Sequence, residues 1–208
     1  MRIPAPLAAL VLGASAFLFA HDSLGDTNHE HRQLFSVSPG QLLDIQLDTG
    51  GSLRIVAWNR DQVLVDTDWR EETCPDALIN ASRSPQGVLL SSRYHPDSGD
   101  IHSCSMKVEI HVPSRFDVHV RSAGGGIEIV DVRGSFEGHT GGGSLALRGV
   151  RGSAELRTGG GEIRVRDSEL DGHLATGGGH VSLQNVTGAI TATSGSEPGV
   201  KRGRTRSQ

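Results

Sequence analysis

The chain has 208 residues, 28 of them Gly, only eight aromatic, with 24 acidic against 20 basic side chains and a formal charge of −4. That length allows one domain, or one and a half, with a real core, and the Val, Ile and Leu content excludes a disordered chain. Glycine lacks the every-third-residue period of collagen, and two Cys build neither a zinc cage nor a dense disulfide scaffold.

The first element is an address. Arg2 is the only charge before His21, and Leu7 to Ala20 is an apolar run ending in small residues, the layout of a secretory signal peptide. Cleavage is expected after Ala20, with Ala16 as the second choice. The uncharged stretch 3–20 is short for a ~30 Å hydrocarbon core, so no membrane span is expected after cleavage. No Cys follows the cleavage point to carry a lipid. The mature protein is expected to be secreted or periplasmic, in the cell envelope.

Residues 21–35 read as a polar, disordered arm. It holds His21 and His29-Glu30-His31, which could take a metal weakly or simply be solvated. Residues 36–121 read as an irregular β-sheet cap. Leu43, Ile45 and Leu47 alternate, Thr49-Gly50-Gly51 turns into Leu53–Val56, and Asn59-Arg60-Asp61 turns again into Val63–Val65. Ala77–Arg83 and Val88–Tyr94 flank Ser84-Pro85-Gln86-Gly87, a hairpin signal. Met106–Val112 and Phe116–Val120 alternate around Pro113. In an oxidising compartment Cys74 and Cys104 most simply form one disulfide fastening this cap, and two free thiols are the alternative.

The second half repeats with an 18-residue period and no gap. Rows begin at Ser122, Thr140, Thr158 and Thr176, and Ser194-Gly195 opens a fifth that breaks at Glu197-Pro198. The sixth column is Ile127, Leu145, Ile163, Val181; the eighth is Ile129, Leu147, Val165, Leu183; the eleventh is Val132, Val150, Ser168, Val186. Twenty of the 28 glycines lie between Ser122 and Gly199. Columns two apart share one face of a strand, and Thr-Gly-Gly-Gly supplies the sharp corner. A second strand would point Phe136, Leu156, Leu174, Ile190 and Ala192 inward. Leu170 stands where the other rows have Gly134, Gly152 and Gly188, so the third coil is expected to turn differently. The expected fold is therefore all-β, with the irregular N-terminal sheet continuing into a parallel β-solenoid of 18-residue coils over 122–199.

The end, 200–208, reads as a basic disordered tail with Lys201, Arg202, Arg204 and Arg206, leaving the body 21–199 at −9. Such a tail could touch anionic lipid, lipopolysaccharide or nucleic acid, or be a solvated terminus. The body has no basic stripe with interleaved aromatics, so no nucleic-acid partner is expected.

Strands opened by Gly-Gly corners, after a leader and an irregular β start, make residues 36–195 resemble the bacterial "putative adhesin" β-strand-repeat proteins, a domain of unknown function. That resemblance implies an exported, non-enzymatic envelope protein, structural or adhesin-like. It brings no catalytic or binding residues to map onto this chain.

Several constellations suggest chemistry. Glu137 and Glu155 share column sixteen, so their carboxylates would stack about 5 Å apart, like a retaining glycosidase pair. Against that, no aromatic follows Phe136 to stack on a sugar, and Arg121, Arg133, Arg151 and Arg157 could ease a solvated pair. The corners hold no acid for calcium. The ladder Ser122, Thr140, Thr158, Thr176, Ser194 could display hydroxyls, as ice-binding solenoids do, or cap corner amides. His95, His102, His111, His119, His139, His173 and His180 fall in different columns, and Asn80 and Asn185 begin glycan-acceptor motifs that mean little in a bacterium. No metal or cofactor is expected. The function expected is a binding scaffold whose partner is an envelope protein, a polysaccharide surface or another copy of itself. The alternatives are a polysaccharide-active enzyme using Glu137 and Glu155, and a periplasmic partner of a signalling protein.

Overall fold

The computed structural model describes residues 28–70, 77–94, 106–196 and 200–204. Their regular structure is all strand. In chain order these are β1 (Asn28–Ser36), β2 (Leu42–Leu47), β3 (Ser52–Trp58), β4 (Gln62–Arg70), β5 (Ala77–Ser84), β6 (Gly87–Tyr94), β7 (Met106–Pro113) and β8 (Asp117–Ser122). The repeats follow as β9 (Ile127–Val130), β10 (Arg133–Thr140), β11 (Leu145–Arg148), β12 (Arg151–Thr158), β13 (Ile163–Thr176), β14 (Val181–Thr187), β15 (Ile190–Ser194) and β16 (Val200–Arg202).

All sixteen belong to one sheet of mixed orientation that nearly closes on itself, in the manner of a barrel. The fold-back runs through β13. Its first residues pair with β11 and β14, while its later ones pair with β12 and β15. One half of the sheet reads β1-β4-β7-β3-β9-β11-β13 and the other β13-β12-β10-β8-β2-β6-β5. Inward side chains from both halves form one core, with Phe116, Phe136, Leu43, Ile45 and Ile129 fully buried.

The repeat columns appear as ladders. Ile127, Leu145, Ile163 and Val181 are in-register parallel neighbours, as are Phe136, Ala154, Gly172 and Ile190. Column eleven is buried throughout, Ser168 included. Ser168 keeps its place because its Oγ donates to the Arg166 carbonyl at 2.7 Å and accepts the Val150 N–H at 3.1 Å. Leu170 departs from its glycine column, as expected. Where the neighbouring coils break between two strands, β13 runs on through residues 163–176 and buries Leu170 against Gly152.

The corner needs glycine for a steric reason. Gly143 has φ +90°, and a Cβ there would lie 2.4 Å from the Gly125 carbonyl carbon of the preceding coil. A second corner escaped the sequence reading. Asp131, Gly149, Asp167 and Asn185 occupy column ten, and all four have φ between +50° and +66°. Asp, Asn and Gly are the residues that tolerate this left-handed conformation.

Three expectations are corrected. The arm predicted as disordered over 21–35 is strand from Asn28 onward, with β1 antiparallel to β4 from Asn28↔Arg70 to Ser36↔Gln62. The basic tail is not wholly free either: β16 pairs antiparallel with β15, and Arg204 bridges to Thr187. Both segments cover strands whose N–H and C=O groups would otherwise face water unpaired. Third, the irregular region and the repeats share one nearly closed sheet of mixed orientation: the strands of the repeats pair with one another in parallel, while β1, β4, β5 and β16 run antiparallel to their neighbours.

The first half is also more ordered than its irregular sequence suggests. β2 lies between β6 and β8, and β3 between β7 and β9, all in parallel. The segment β2–β3 is therefore a rung like those of the repeats, sandwiched between β6–β7 and β8–β9. The hairpin read at Ser84–Gly87 joins β5 and β6 in antiparallel register. β4, by contrast, turns after β3 without pairing to it and joins β7 and β1.

Candidate functional site

Every second residue of β8, β10, β12, β13 and β15 points away from the core. Glu137 and Glu155 are direct cross-strand partners there, as the spacing predicted, and both are exposed. Their row continues in both directions, from Asp44 through His119, Glu137 and Glu155 to His173 and Thr191. The two histidines thus share a ladder with the carboxylates, correcting the reading that the histidines scatter over unrelated columns. The signal was present, since His119 precedes Glu137 and His173 follows Glu155 by one full period.

Each histidine has a local partner. His119 Nδ1 lies 3.2 Å from Asp44 Oδ1, and Gln46 Nε2 donates to Asp44 Oδ2 at 3.0 Å. His173 is held at both ring nitrogens, Nδ1 at 3.0 Å from Thr191 Oγ1 and Nε2 at 3.3 Å from Thr193 Oγ1. Glu137 and Glu155 make no hydrogen bond or ion pair with a described residue. Among the described residues no group of three His, Cys, Asp or Glu side chains comes together as a metal site. Arg121 and Arg157 stand two residues along the strand from His119 and Glu155. Arg133 and Arg151 lie four residues before Glu137 and Glu155, about 13 Å away along the strands.

The hydroxyl ladder is structural. Ser122, Thr140, Thr158 and Thr176 are 2–5% exposed, so they display nothing. Thr140, Thr158, Thr176 and Ser194 each donate to a glycine carbonyl of the preceding corner, Gly125, Gly143, Gly161 and Gly179, at 2.7–3.0 Å. Thr158 and Thr176 also accept amides of their own corner, from Gly161 and Gly179. This stitches coil to coil where the backbone has left its strand ladder.

Two of the grooves lined by described residues are wide, and Glu137 and Glu155 line neither. One, about 510 Å³, crosses the outer face of β3, β7, β9 and β11, where Gly126, Ser144 and Ala146 leave a trough between charged side chains. Those charges are largely matched: Arg54 Nη1 meets Glu128 Oε2 at 2.7 Å, and Arg164 Nε meets Glu162 Oε1 at 2.7 Å. The other, about 680 Å³, crosses the starts of β10 and β12 past Arg115, Arg133 and Arg151. Sequence reading missed it, because it treated Arg133 and Arg151 as neighbours of the glutamates and did not align Arg115 with them. In the β1 segment, the His31 ring stacks on Trp69 with centroids 5.2 Å apart. The signal peptide, His21, Cys74 and Cys104 lie outside the described residues.

No family model and no curated protein matches the chain. Among solved structures it is similar to bacterial proteins of uncharacterised function. A "putative adhesin" from Parabacteroides distasonis ATCC 8503 is 10% identical with a TM-score of 0.34, covering 80% of this chain and 82% of that one. Another from Bacteroides fragilis NCTC 9343 is 13% identical with a TM-score of 0.30, covering 80% and 97%. A "putative lipid binding protein" from Parabacteroides distasonis ATCC 8503 is 7% identical with a TM-score of 0.29, covering 79% and 96%. Among the described residues no helix is long and apolar enough to cross a membrane.

Proposed function

We propose that this chain is an exported, non-enzymatic protein of the bacterial envelope, a parallel β-solenoid of 18-residue coils whose outer faces serve as a binding scaffold. The reading includes a leader over 1–20, a disulfide between Cys74 and Cys104, and a first β region over 36–121 that merges with the repeats of 122–199. Its support comes from the family resemblance in the sequence and from the 18-residue parallel register.

The observation that carries it is the setting of Glu137 and Glu155. Stacked carboxylates can do glycosidase chemistry only where a substrate is enclosed and water is controlled. These two are exposed and stand outside both grooves. What this face offers instead is the row His119, Glu137, Glu155, His173 and Thr191, one polar side chain per rung at a repeat of about 4.8 Å. A repeating array suits a repeating ligand, because each weak contact is made again one rung further on.

The test compares the parent chain with Glu155→Gln on purified envelope polysaccharide, following both retention of the polymer and release of reducing ends. Retention without release, the same in both proteins, is expected. Release of reducing ends that the substitution abolishes would overturn the reading in favour of an enzyme.

A further inference from the structure

We infer that the larger groove, the one across the starts of β10 and β12, is a binding site for an acidic polysaccharide, held by the guanidinium ladder Arg115, Arg133 and Arg151. The inference rests on the scaffold reading and gives it a ligand class.

The ladder is set by the backbone. Arg115 and Arg133 are bridged in parallel, and Arg133 is the in-register partner of Arg151. Three like charges therefore stand on successive rungs, about 4.8 Å apart. All three are exposed, and none makes a side-chain hydrogen bond or ion pair with a described residue. On the other face, Arg54 and Arg164 already hold carboxylates. Stacked guanidiniums repel one another, and the in-register neighbour of Arg151 on the next rung is Glu169. An anion running along the groove would remove that repulsion and could be met bidentately at each rung.

The rest of the lining narrows the ligand. Asp117, Glu169 and Asp171 also face the groove. Asp117 Oδ1 accepts the Ser135 N–H at 2.8 Å, and Asp171 Oδ1 accepts the Ala189 N–H at 2.7 Å. They keep further lone pairs for neutral hydrogen-bond donors, which polyphosphate does not carry along its length. A uronic-acid polymer brings both kinds of group, carboxylates for the arginines and hydroxyls for the carboxylates. Gly134 and Gly152 are part of the lining and put no side chain into it.

The experiment measures binding of polygalacturonate to the full chain by titration calorimetry at two salt concentrations. The probes beside it are fully methyl-esterified polygalacturonate, polyphosphate, and vesicles containing phosphatidylglycerol. Arg133→Gln/Arg151→Gln is the test variant, and Arg164→Gln is the control on the opposite face. The expected result is binding weakened by raised salt, at least tenfold loss in the double variant, little change in the control, and little binding of the other probes. Equal binding of the methyl ester, or tighter binding of polyphosphate or vesicles, would overturn the ligand class. Unchanged affinity in the double variant would overturn the groove while leaving the scaffold reading intact. Release of reducing ends from the polymer would instead sink the scaffold reading. Thermal melts of the variants, expected to match the parent, tie any loss to the arginines.

Discussion

The two halves of the molecule build the same kind of rung by different routes. In the repeats the strand stacked on a given strand is always one period away: Leu145 on Ile127, Ile163 on Leu145, Val181 on Ile163. In the first half Leu43 has Val88 on one side and Val118 on the other, while Leu53 has Val108 and Ile127. Burial is equally complete in both. A fold can thus be regular in space and irregular in sequence whenever neighbouring rungs are not consecutive in the chain.

The strongest way to break that comparison is by deletion. Removing Thr158–Ala175 takes out one whole period, joins Arg157 to Thr176, and would set Leu145 on Val181 and Leu147 on Leu183. A cooperative melt should survive at reduced temperature, because stacked repeats behave as sums of nearest-neighbour terms. Removing only Thr158–Arg166 deletes Ile163, Val165 and the first four residues of β13, and the melt followed by circular dichroism should lose its cooperativity. Removing a stretch as long as one period from the first half, 42–59, should be as damaging. It takes out the β2–β3 rung, and no periodic neighbour replaces it. A cooperative melt after either damaging deletion would mean that the 18-residue coil, or the sandwiched rung, has been misread.

Within the folded chain the largest single-residue effect should come from Phe136, fully buried beside the small Ala154 on the next rung. Phe136→Ala should cost about 3–5 kcal/mol in denaturant unfolding, the range for a large side chain deleted from a core that cannot collapse. A loss below about 1 kcal/mol would show that the halves close over the gap.

The corners sharpen the comparison further. Gly143→Ala places a Cβ against the Gly125 backbone at positive φ, and should cost roughly 1–3 kcal/mol. Gly142→Ala, one residue earlier, meets nothing within 4 Å and should shift the unfolding free energy by less than about 0.5 kcal/mol. Equal effects would mean that the corner is not set by close coil-to-coil approach. The smallest effect belongs to Arg54→Gln, which breaks a 2.7 Å ion pair with Glu128 whose partners are 47% and 37% exposed. Solvent screening limits that pair to about 0.2–1 kcal/mol, with the difference shrinking further in salt.

What could be read beforehand follows from the same contrast. The period, the inward columns and the Glu137–Glu155 stacking were legible because one constant offset turns sequence columns into spatial ladders. Leu170 was legible as an exception for the same reason. The sandwiched position of β2 and β3 was not, since no local pattern reports which of several alternating strands will be neighbours. The His119–Glu137–Glu155–His173 row and the Arg115–Arg133–Arg151 ladder were missed at a boundary. Both begin before Ser122, in the preceding coil, where the repeat had not yet been recognised. The strand at Asn28–Ser36 was hidden by its polarity: a margin strand facing water on one side needs few apolar residues to pair with β4.

The interleaved order of the rungs has a consequence for the birth of the molecule. A polypeptide emerges from its N-terminus, so β2 and β3 appear before either of the rungs that will flank them. β6 and β7 supply one side, and β8 and β9 supply the other only once residue 130 has been made. Until then the middle of the finished stack is a nascent segment with both borders open to any passing strand. The repeats, in contrast, can be laid down coil on coil in the order of synthesis, each finding its template already waiting. Assembly therefore begins in earnest only past the midpoint of the chain, and a holding chaperone would act on the first hundred residues rather than the last.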